Sequence, residues 1–521
     1  MKNLSKIFTT TAIALVMFSS CKKDLNLTPT NDITADVTYA NAAGYKSVLT
    51  KVYASYATTG GSGSGSSDLG GIDAGTSDFL RLYWNAQELT SDEGLCIWGD
   101  PGVYDLNYLT FGAENILLRG LYTRSLYQIT VANEFLREST PEKVAARGIT
   151  GGDATMIANY RNEVRFLRAY QYWVLMDLYG NPPFITEADQ IGKVAPKQIT
   201  RADLFKYVEA ELLAIEPALS VNNEYGRATR GAADMLLSRV YLNASVYTGT
   251  AKNTEAITYA SKVISGPYAL HSAYKNLFLA DNDINNPEVI LSINYDGNYT
   301  QNYGGTTFLI NASINGDMNP ASYGVPNGGW GGIHASSTLP AMFTDAADKR
   351  AMFFGTKTSN DAIDVFTDGL RVVKFKNTTQ SGATAPSVGG VLCSTDFPLF
   401  RLAEAYLNYS EAVLRGGTGG STAQAITYVN LLRQRAYGSA AGNVTGLTLD
   451  NILTERAKEF YWEGYRRTDL IRFGKFTDGS YVWPWKGGVR AGRAVSATRA
   501  LFPIPTADVV ANPNLVQNPG Y

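Results

Sequence analysis

Two stretches of this 521-residue chain hold residue types that could recognise a sugar. The first offers Asp73, Arg81, Trp84, Trp98 and Asp100; the second offers Tyr295, Tyr299, Tyr303, Tyr323 and Trp330. Aromatic rings stack on the apolar C–H faces of pyranoses, and guanidinium or carboxylate groups then fix the hydroxyls. Both stretches are rich in Gly and irregular, the texture of binding loops. Taken singly, each residue also has an ordinary structural reading. Trp98 and Tyr303 could be core, and Arg81 could be an ion-pair partner.

Other chemistries find less support. Only two histidines exist, His271 and His334, too few for a catalytic triad or a His-rich metal site. His271 follows the Gly266-Pro267 turn and reads as structural. The Gly60–Gly75 run, GGSGSGSSDLGGIDAG, has no strand before it and no helix directly after it, so it is a loop and not a dinucleotide fingerprint. Asp281-Asn282-Asp283 resembles the start of a calcium loop but lacks the Gly and closing Glu of one. An Asx-rich turn is the simpler reading; a structural calcium at Asp281 and Asp283 is the sole cofactor for which the sequence leaves room. The net charge of −2 and the lack of a basic run argue against nucleic acid.

The three cysteines, Cys21, Cys96 and Cys393, show no metal-type spacing. Cys96 and Cys393 could be paired or free. Cys21 follows a basic start (Met1–Lys6), a short apolar run (Ile7–Phe18) and two serines. The apolar run is too short to span a bilayer. This arrangement resembles a bacterial lipobox, with 1–20 as signal peptide, Cys21 as the acylated first residue and 21–36 as tether. An ordinary signal peptide with a chance cysteine is the alternative. Acyl chains anchor by about 0.8 kcal/mol per buried methylene.

The elements that must position the loops are helices. Tyr160, Val164, Leu167, Gln171, Val174, Leu175 and Leu178 recur at helical spacing, and Gly180 with Pro182-Pro183 ends that helix. Its charges, Glu163, Arg165, Arg168 and Asp177, should pair with neighbouring helices. Near the other end, Glu455, Glu459 and Glu463 share a face, with Arg466, Arg467 and Arg472 after them; an acidic-face to basic-turn pairing within one layer is expected. Amphipathic pairs at 229–248 with 253–265, and 398–415 with 422–437, look tetratricopeptide-like. Helices are also expected over about 45–56, 114–138 and 200–218, and strands at 289–295 and 370–376. Residues 79–111 read as loop with short elements. The fold class is therefore mainly α, with tetratricopeptide-like helix pairs as scaffold and an irregular, short-strand region carrying the ligand site.

The pairing of EVRFLRAYQYWVLMDLYGNPPF with ERAKEFYWEGYRRTDLIRFGKF, followed by FPIP and NPNLVQNPGY, resembles the SusD/RagB family of outer-membrane glycan-binding lipoproteins. The resemblance spans 37–521 as one domain. It implies a scaffold at about 37–58, 114–265 and 398–476, with ligand loops at about 60–112 and 267–397. TSDFLRLYWNAQELTSDE, DGNYTQNYGGTTFL and NGGW are similar to the segments that build an aromatic arc in the starch-binding branch. Carried over, the arc is Trp98, Tyr303 and Trp330, with polar contacts from Asp73 and Arg81, and with Asp100 and Tyr299 as further contacts. Departures are Pro101 in place of an Asn, Cys96 in place of a Trp, and a longer loop before Trp330. They bear on fine ligand preference.

The resemblance implies a non-enzymatic, surface-exposed outer-membrane receptor. It would capture starch-type α-glucans and malto-oligosaccharides and pass them to a TonB-dependent transporter of the SusC type. Two other classes compete. A glycoside hydrolase needs only two carboxylates about 5–9 Å apart, but Asp73 has no evident acid partner. A purely structural helical scaffold of a transporter complex would leave the aromatic loops idle, whereas a scaffold or lid binding a different glycan would use them.

Overall fold

The computed structural model describes residues 34–521 apart from 191 and 193. The expected signal peptide, the expected lipidation site Cys21 and the expected tether up to residue 33 lie outside the described residues; a one-turn helix, Ala35–Thr38, follows.

The central element is a 28-residue helix, Gly151–Leu178. The seven residues at helical spacing are all buried, and from Phe166 onward every side chain is buried. Such a helix is a core post rather than an amphipathic surface helix. It stops as its sequence dictates. Gly180 turns to φ +76, and its N–H reaches back 3.0 Å to the Leu175 carbonyl. Three of the four charges pair: Arg165 with Glu211 at 2.8 Å, Arg168 with Glu211 at 3.1 Å, and Glu163 with the loop residue Arg227 and the Tyr53 hydroxyl. Asp177 meets no cation among the described residues and accepts from the Tyr247 and Thr468 hydroxyls instead.

Helices Ile116–Glu138, Gly151–Leu178, Arg201–Ile215, Arg230–Leu242, Asn253–Ile264, Leu402–Leu414 and Thr422–Tyr437 pack each on the next. Asn253–Ile264 lies directly against Leu402–Leu414, so the stack continues across the intervening chain as if that chain were absent. Residues 267–397 leave the stack and carry half of the loops. This mainly helical, tetratricopeptide-like scaffold with short strands is the expected fold class.

Four local expectations are corrected. Residues 79–88 are a helix, not loop. Asp78 caps it by accepting from Arg81 N–H at 2.8 Å, and nearly all its side chains are buried, the polar Asn85, Gln87 and Glu88 included. Gly305–Ala312 is likewise a fully buried helix inside the supposed irregular region. Residues 397–401 form a strand before the Leu402 helix, antiparallel to Val289–Ile293 with Val289 opposite Arg401 and Ile293 opposite Phe397. The strand expected at 370–376 shrinks to Arg371–Val372.

The charge pairing near the C-terminus also differs. The helix ends at Phe460, and Trp462 and Gly464 take positive φ, so the arginines face another direction from the glutamates. Glu459 and Glu463 meet Arg401 instead, at 2.6 and 2.7 Å, and Glu455 meets Arg350 at 2.6 Å. Arg466 goes to Asp92 and Arg472 to Glu411, each at 2.6 Å. Arg467 finds only the Arg499 and Ala500 carbonyls. Burying an unpaired ion costs several kcal/mol, so most of these charges are paired, Arg467 being the exception, and the partners come from the fold and not from adjacent sequence.

Candidate functional site

The site is built on one antiparallel ladder. Gly94–Cys96 pairs with Ile333–Ala335, Cys96 opposite Ile333, and Ile97 N–H continues it to the Gly332 carbonyl at 2.9 Å. Trp98 and Trp330 therefore leave adjacent strands at the same end. The Trp98 indole N–H donates to the Gly331 carbonyl at 2.9 Å, which fixes the ring plane. A Cβ on Gly332 would lie 2.3 Å from that ring, so only glycine lets the strands close. Trp330 is held by its N–H on the Asn311 carbonyl at 2.8 Å. Tyr303, 44% exposed, stands 6.2 Å from Trp330, centroid to centroid, with planes tilted by 57°.

Arg81 projects from the Phe79–Glu88 helix into the same place. Its guanidinium lies 4.5 Å from the Phe308 ring centroid and 5.6 Å from that of Trp98. Asp73, Asp78 and Asp100 lie close enough to oppose the burial that pulls its pKa down. Its Nε is buried without a partner, and it forms no ion pair among the described residues. A cation set beside two rings, with its Nε unspent, is poised for a ligand oxygen.

Asp73 is exposed at the loop tip, where one oxygen accepts from Thr76 N–H and hydroxyl at 3.0 and 3.1 Å. Gly75 brings this loop onto Tyr303: a Cβ there would sit 2.7 Å from the Tyr303 Cβ. Asp100 is exposed two residues beyond Trp98. Tyr299 is 86% exposed on a turn capped by Asp296, with no ring of the described residues stacked on it. The structure thus gathers Asp73, Arg81, Trp98, Tyr303 and Trp330 and leaves Tyr299 apart.

Three aromatics of the two stretches are not platform residues. Trp84 is fully buried between Phe308 and Trp462, and Tyr295 and Tyr323 are also buried. Sequence reading passes over Asp78, Asn302 and Phe308. Asp78 is fully buried and accepts from Arg81 N–H, Gly305 N–H and the Asn302 amide. The signal was present as an N-cap Asp immediately before FLRLYW.

Beneath the ladder, Glu88 and Glu93 are fully buried, each with an Oε2 that finds no donor. Burial drives both pKa values up, Glu88 to about 7. Cys96 and Cys393 are free, buried thiols, and burial pushes Cys96 up to about 12. His334 is buried on the ladder, and burial holds its pKa near 4, so it is neutral. His271 Nδ1 accepts from Ala273 N–H, a structural contact. In the suggested calcium loop both Asp281 oxygens accept the Gln380 N–H, while Asp283 is exposed. Among the described residues no three His, Cys, Asp or Glu side chains gather as a metal site.

The sequence profile of the SusD family matches residues 351–521. The starch-binding protein SusD of Bacteroides thetaiotaomicron is 34% identical over 574 aligned positions, covering 100% of this chain and 99% of that protein. A SusD superfamily protein of Parabacteroides distasonis superposes with a TM-score of 0.71 at 20% identity, covering 94% of this chain and 100% of that one. Surface glycan-binding protein A of Bacteroides thetaiotaomicron, in complex with laminarihexaose, gives 0.69 at 20% identity, covering 91% and 99%. With 34% identity along its whole length and the family profile matched over its last stretch, the chain belongs to the SusD family.

Proposed function

We propose that the protein is a non-catalytic receptor that binds starch-type α-glucans on the arc of Trp98, Trp330 and Tyr303, with Arg81, Asp73 and Asp100 holding hydroxyls. The observation that carries this reading is Arg81: its guanidinium beside the Phe308 and Trp98 rings, its Nε unpartnered, near two tilted, partly exposed rings. A tilted pair suits a curved chain of sugars better than a flat one. The 34%-identical relative is named as starch-binding, which favours an α-glucan. In the same reading Cys21 carries lipid, residues 21–36 tether the 37–521 domain at the outer-membrane surface, and captured glycan passes to a TonB-dependent transporter of the SusC type. Tyr299, flexed on its exposed turn, contacts longer chains.

A second reading takes a different glycan on the same arc; a neighbour of the same fold is complexed with laminarihexaose. A hydrolase gains little support, since the Glu88 and Glu93 pair is sealed from solvent beneath the ladder. Native electrophoresis of the purified protein through gels containing amylopectin, a β-glucan or no polysaccharide decides between them. Retardation by amylopectin alone, lost in Trp98→Ala with Trp330→Ala, supports the α-glucan arc. Retardation by the β-glucan alone transfers the arc to that polymer, and no retardation in any gel removes the receptor reading in favour of the scaffold.

A further inference from the structure

We propose that Tyr104, Tyr108 and Trp485 form a second aromatic platform that extends the glycan site beyond Trp98. This rests on the glycan reading above. The three rings run in a row. Tyr104 and Tyr108 are nearly parallel at 5.9 Å (19° between planes), and Tyr108 and Trp485 follow at 6.1 Å and 42°. A face-to-face sandwich would bring centroids closer, so the rings are laterally offset and leave ring surface uncovered. All three are partly exposed, and none packs against either buried apolar core.

The row is tied to the arc. The Tyr104 hydroxyl donates to the Ile97 carbonyl at 2.7 Å, one residue before Trp98. Between them the chain turns at Gly102, φ +88, where a Cβ would collide with the Asn115 amide at 2.8 Å. That amide also donates to the Gly102 carbonyl at 3.0 Å. Trp98 and Tyr104 are therefore two ends of one pinned turn. The exposed Asp364 supplies a polar rim: after burial, its carboxylate is the next influence raising the pKa of both tyrosines.

Trp485 adds an independent observation. It holds φ +72, ψ −6, a left-handed conformation that costs a bulky residue on the order of 1–3 kcal/mol. Glycine would adopt it freely. The indole returns only one bond to the protein, to the Asn360 carbonyl at 3.2 Å. The strained backbone is enforced by Lys486, which is fully buried and donates to the Asp478 and Tyr481 carbonyls at 2.8 and 2.7 Å. A ring kept at that cost, outside the core and at the end of a ring row, points to a ligand: further pyranose units of the chain bound at Trp98.

Trp485→Gly tests this, because it removes the ring and suits the backbone. Calorimetric titration compares maltotriose with long linear amylose. The expected result is that the ratio of long-chain to short-chain affinity falls about fivefold, the order of one lost ring stack, with no drop in melting temperature. Tyr108→Ala, on a different element, should lower the same ratio. An unchanged ratio in both variants, with Trp98→Ala still abolishing binding, overturns the extension and leaves the arc standing. A wild-type protein that binds neither amylose nor laminarin overturns the glycan reading and the extension together. If laminarin is the polymer held, the ratio is read on its short and long chains with the same expectation.

Discussion

Asp78 and Asn302 lie 224 residues apart, yet the Asp78 carboxylate accepts a 2.6 Å hydrogen bond from the Asn302 side-chain amide. That bond joins the Arg81 helix to the Tyr303 loop. The other Asp78 oxygen accepts from the Arg81 and Gly305 N–H groups, each at 2.8 Å, so one buried carboxylate sets both pieces. Asn302 also donates to the Ala57 carbonyl at 3.1 Å and accepts from Gly304 N–H.

The first prediction follows from donor and acceptor counting. Asp78→Asn turns an amide donor toward the Asn302 donor, and two facing donors leave one unsatisfied at a cost of about 1–3 kcal/mol. Glycan affinity should fall about tenfold, and hydrogen exchange at Gly304 and Gly305 should speed up while the Gly151–Leu178 helix stays protected. Adding Asn302→Asp restores a donor opposite an acceptor and keeps the acceptor for Gly304 N–H, but it sets a carboxylate oxygen against the Ala57 carbonyl that Asn302 had served as donor. Binding should therefore recover only in part in the double variant; no recovery of binding, with Gly304 and Gly305 exchange restored, would mean that Asp78 supports only stability.

The long helix, the helix pairs and the Gly180 stop were legible because an apolar stripe at helical spacing and a glycine at a left-handed turn are local signals. The Phe79–Glu88 and Gly305–Ala312 helices were not, because each is short, 10 and 8 residues, and is set among Gly-rich, aromatic loop sequence. Residue type and loop context offered ten candidates, and the family resemblance picked out Trp98, Tyr303, Trp330 and Arg81 from among them. Asp78 could not be weighted, since its value lies in a partner hundreds of residues away. The Glu455, Glu459 and Glu463 row showed that charges must be paired and misled about the partners, which the turn at Trp462 and Gly464 redirects.

Gly304 should not tolerate a methyl group. Its φ of −95° suits any residue, so the constraint is space. A Cβ would lie 2.1 Å from the Asp78 Cβ and 2.7 Å from the Gly75 carbonyl oxygen. Neither can yield without moving a loop, so Gly304→Ala should cost about 1–3 kcal/mol in urea unfolding and displace Tyr303. Gly65→Ala, where a Cβ meets nothing within 4 Å, is the matched control and should stay within about 0.5 kcal/mol.

Glu88 and Glu93 should make the protein more stable on mild acidification. Each has its pKa raised in the fold, Glu88 from 4.5 to about 7. Between those values the native state binds more protons than the unfolded chain, so this contribution to stability falls as pH rises through the window and the penalty is complete above it. Glu88→Gln supplies a permanent donor to the orphan Glu93 oxygen while its carbonyl still accepts Gly464 N–H. The variant should gain about 1–2 kcal/mol over wild type at pH 7.5 and lose that advantage by pH 5. Equal stabilities at both pH values in denaturant titrations would show that the pair does not share a proton.

Arg401 should be the costliest single side chain to remove. It is fully buried and bonds Glu463 at 2.7 and 2.8 Å, Glu459 at 2.6 Å and Glu288 at 3.0 Å, with the Glu459 carbonyl at 2.7 Å. Arg401→Met fills the volume but leaves three buried carboxylates short of a cation. They keep partial cover, Glu463 from Lys374 and Glu288 and Glu459 from Arg435, so the cost should be about 3–5 kcal/mol and not more. The pH dependence separates lost charge pairing from lost packing. Arg435, Arg401 and Arg350 overcome burial and hold the Glu459 carboxyl well below the usual range. Stability from a depressed carboxyl is fully present above its unfolded pKa of about 4.5 and drains away as pH falls toward the folded value. Wild type should therefore lose this stability below about pH 4.5 while the variant, already deprived of much of it, loses less, and the gap between them should narrow from pH 7 to pH 3. A gap that is constant across that range would mean that Arg401 acts through packing against Phe460, whose ring lies 4.6 Å from its guanidinium, and not through charge.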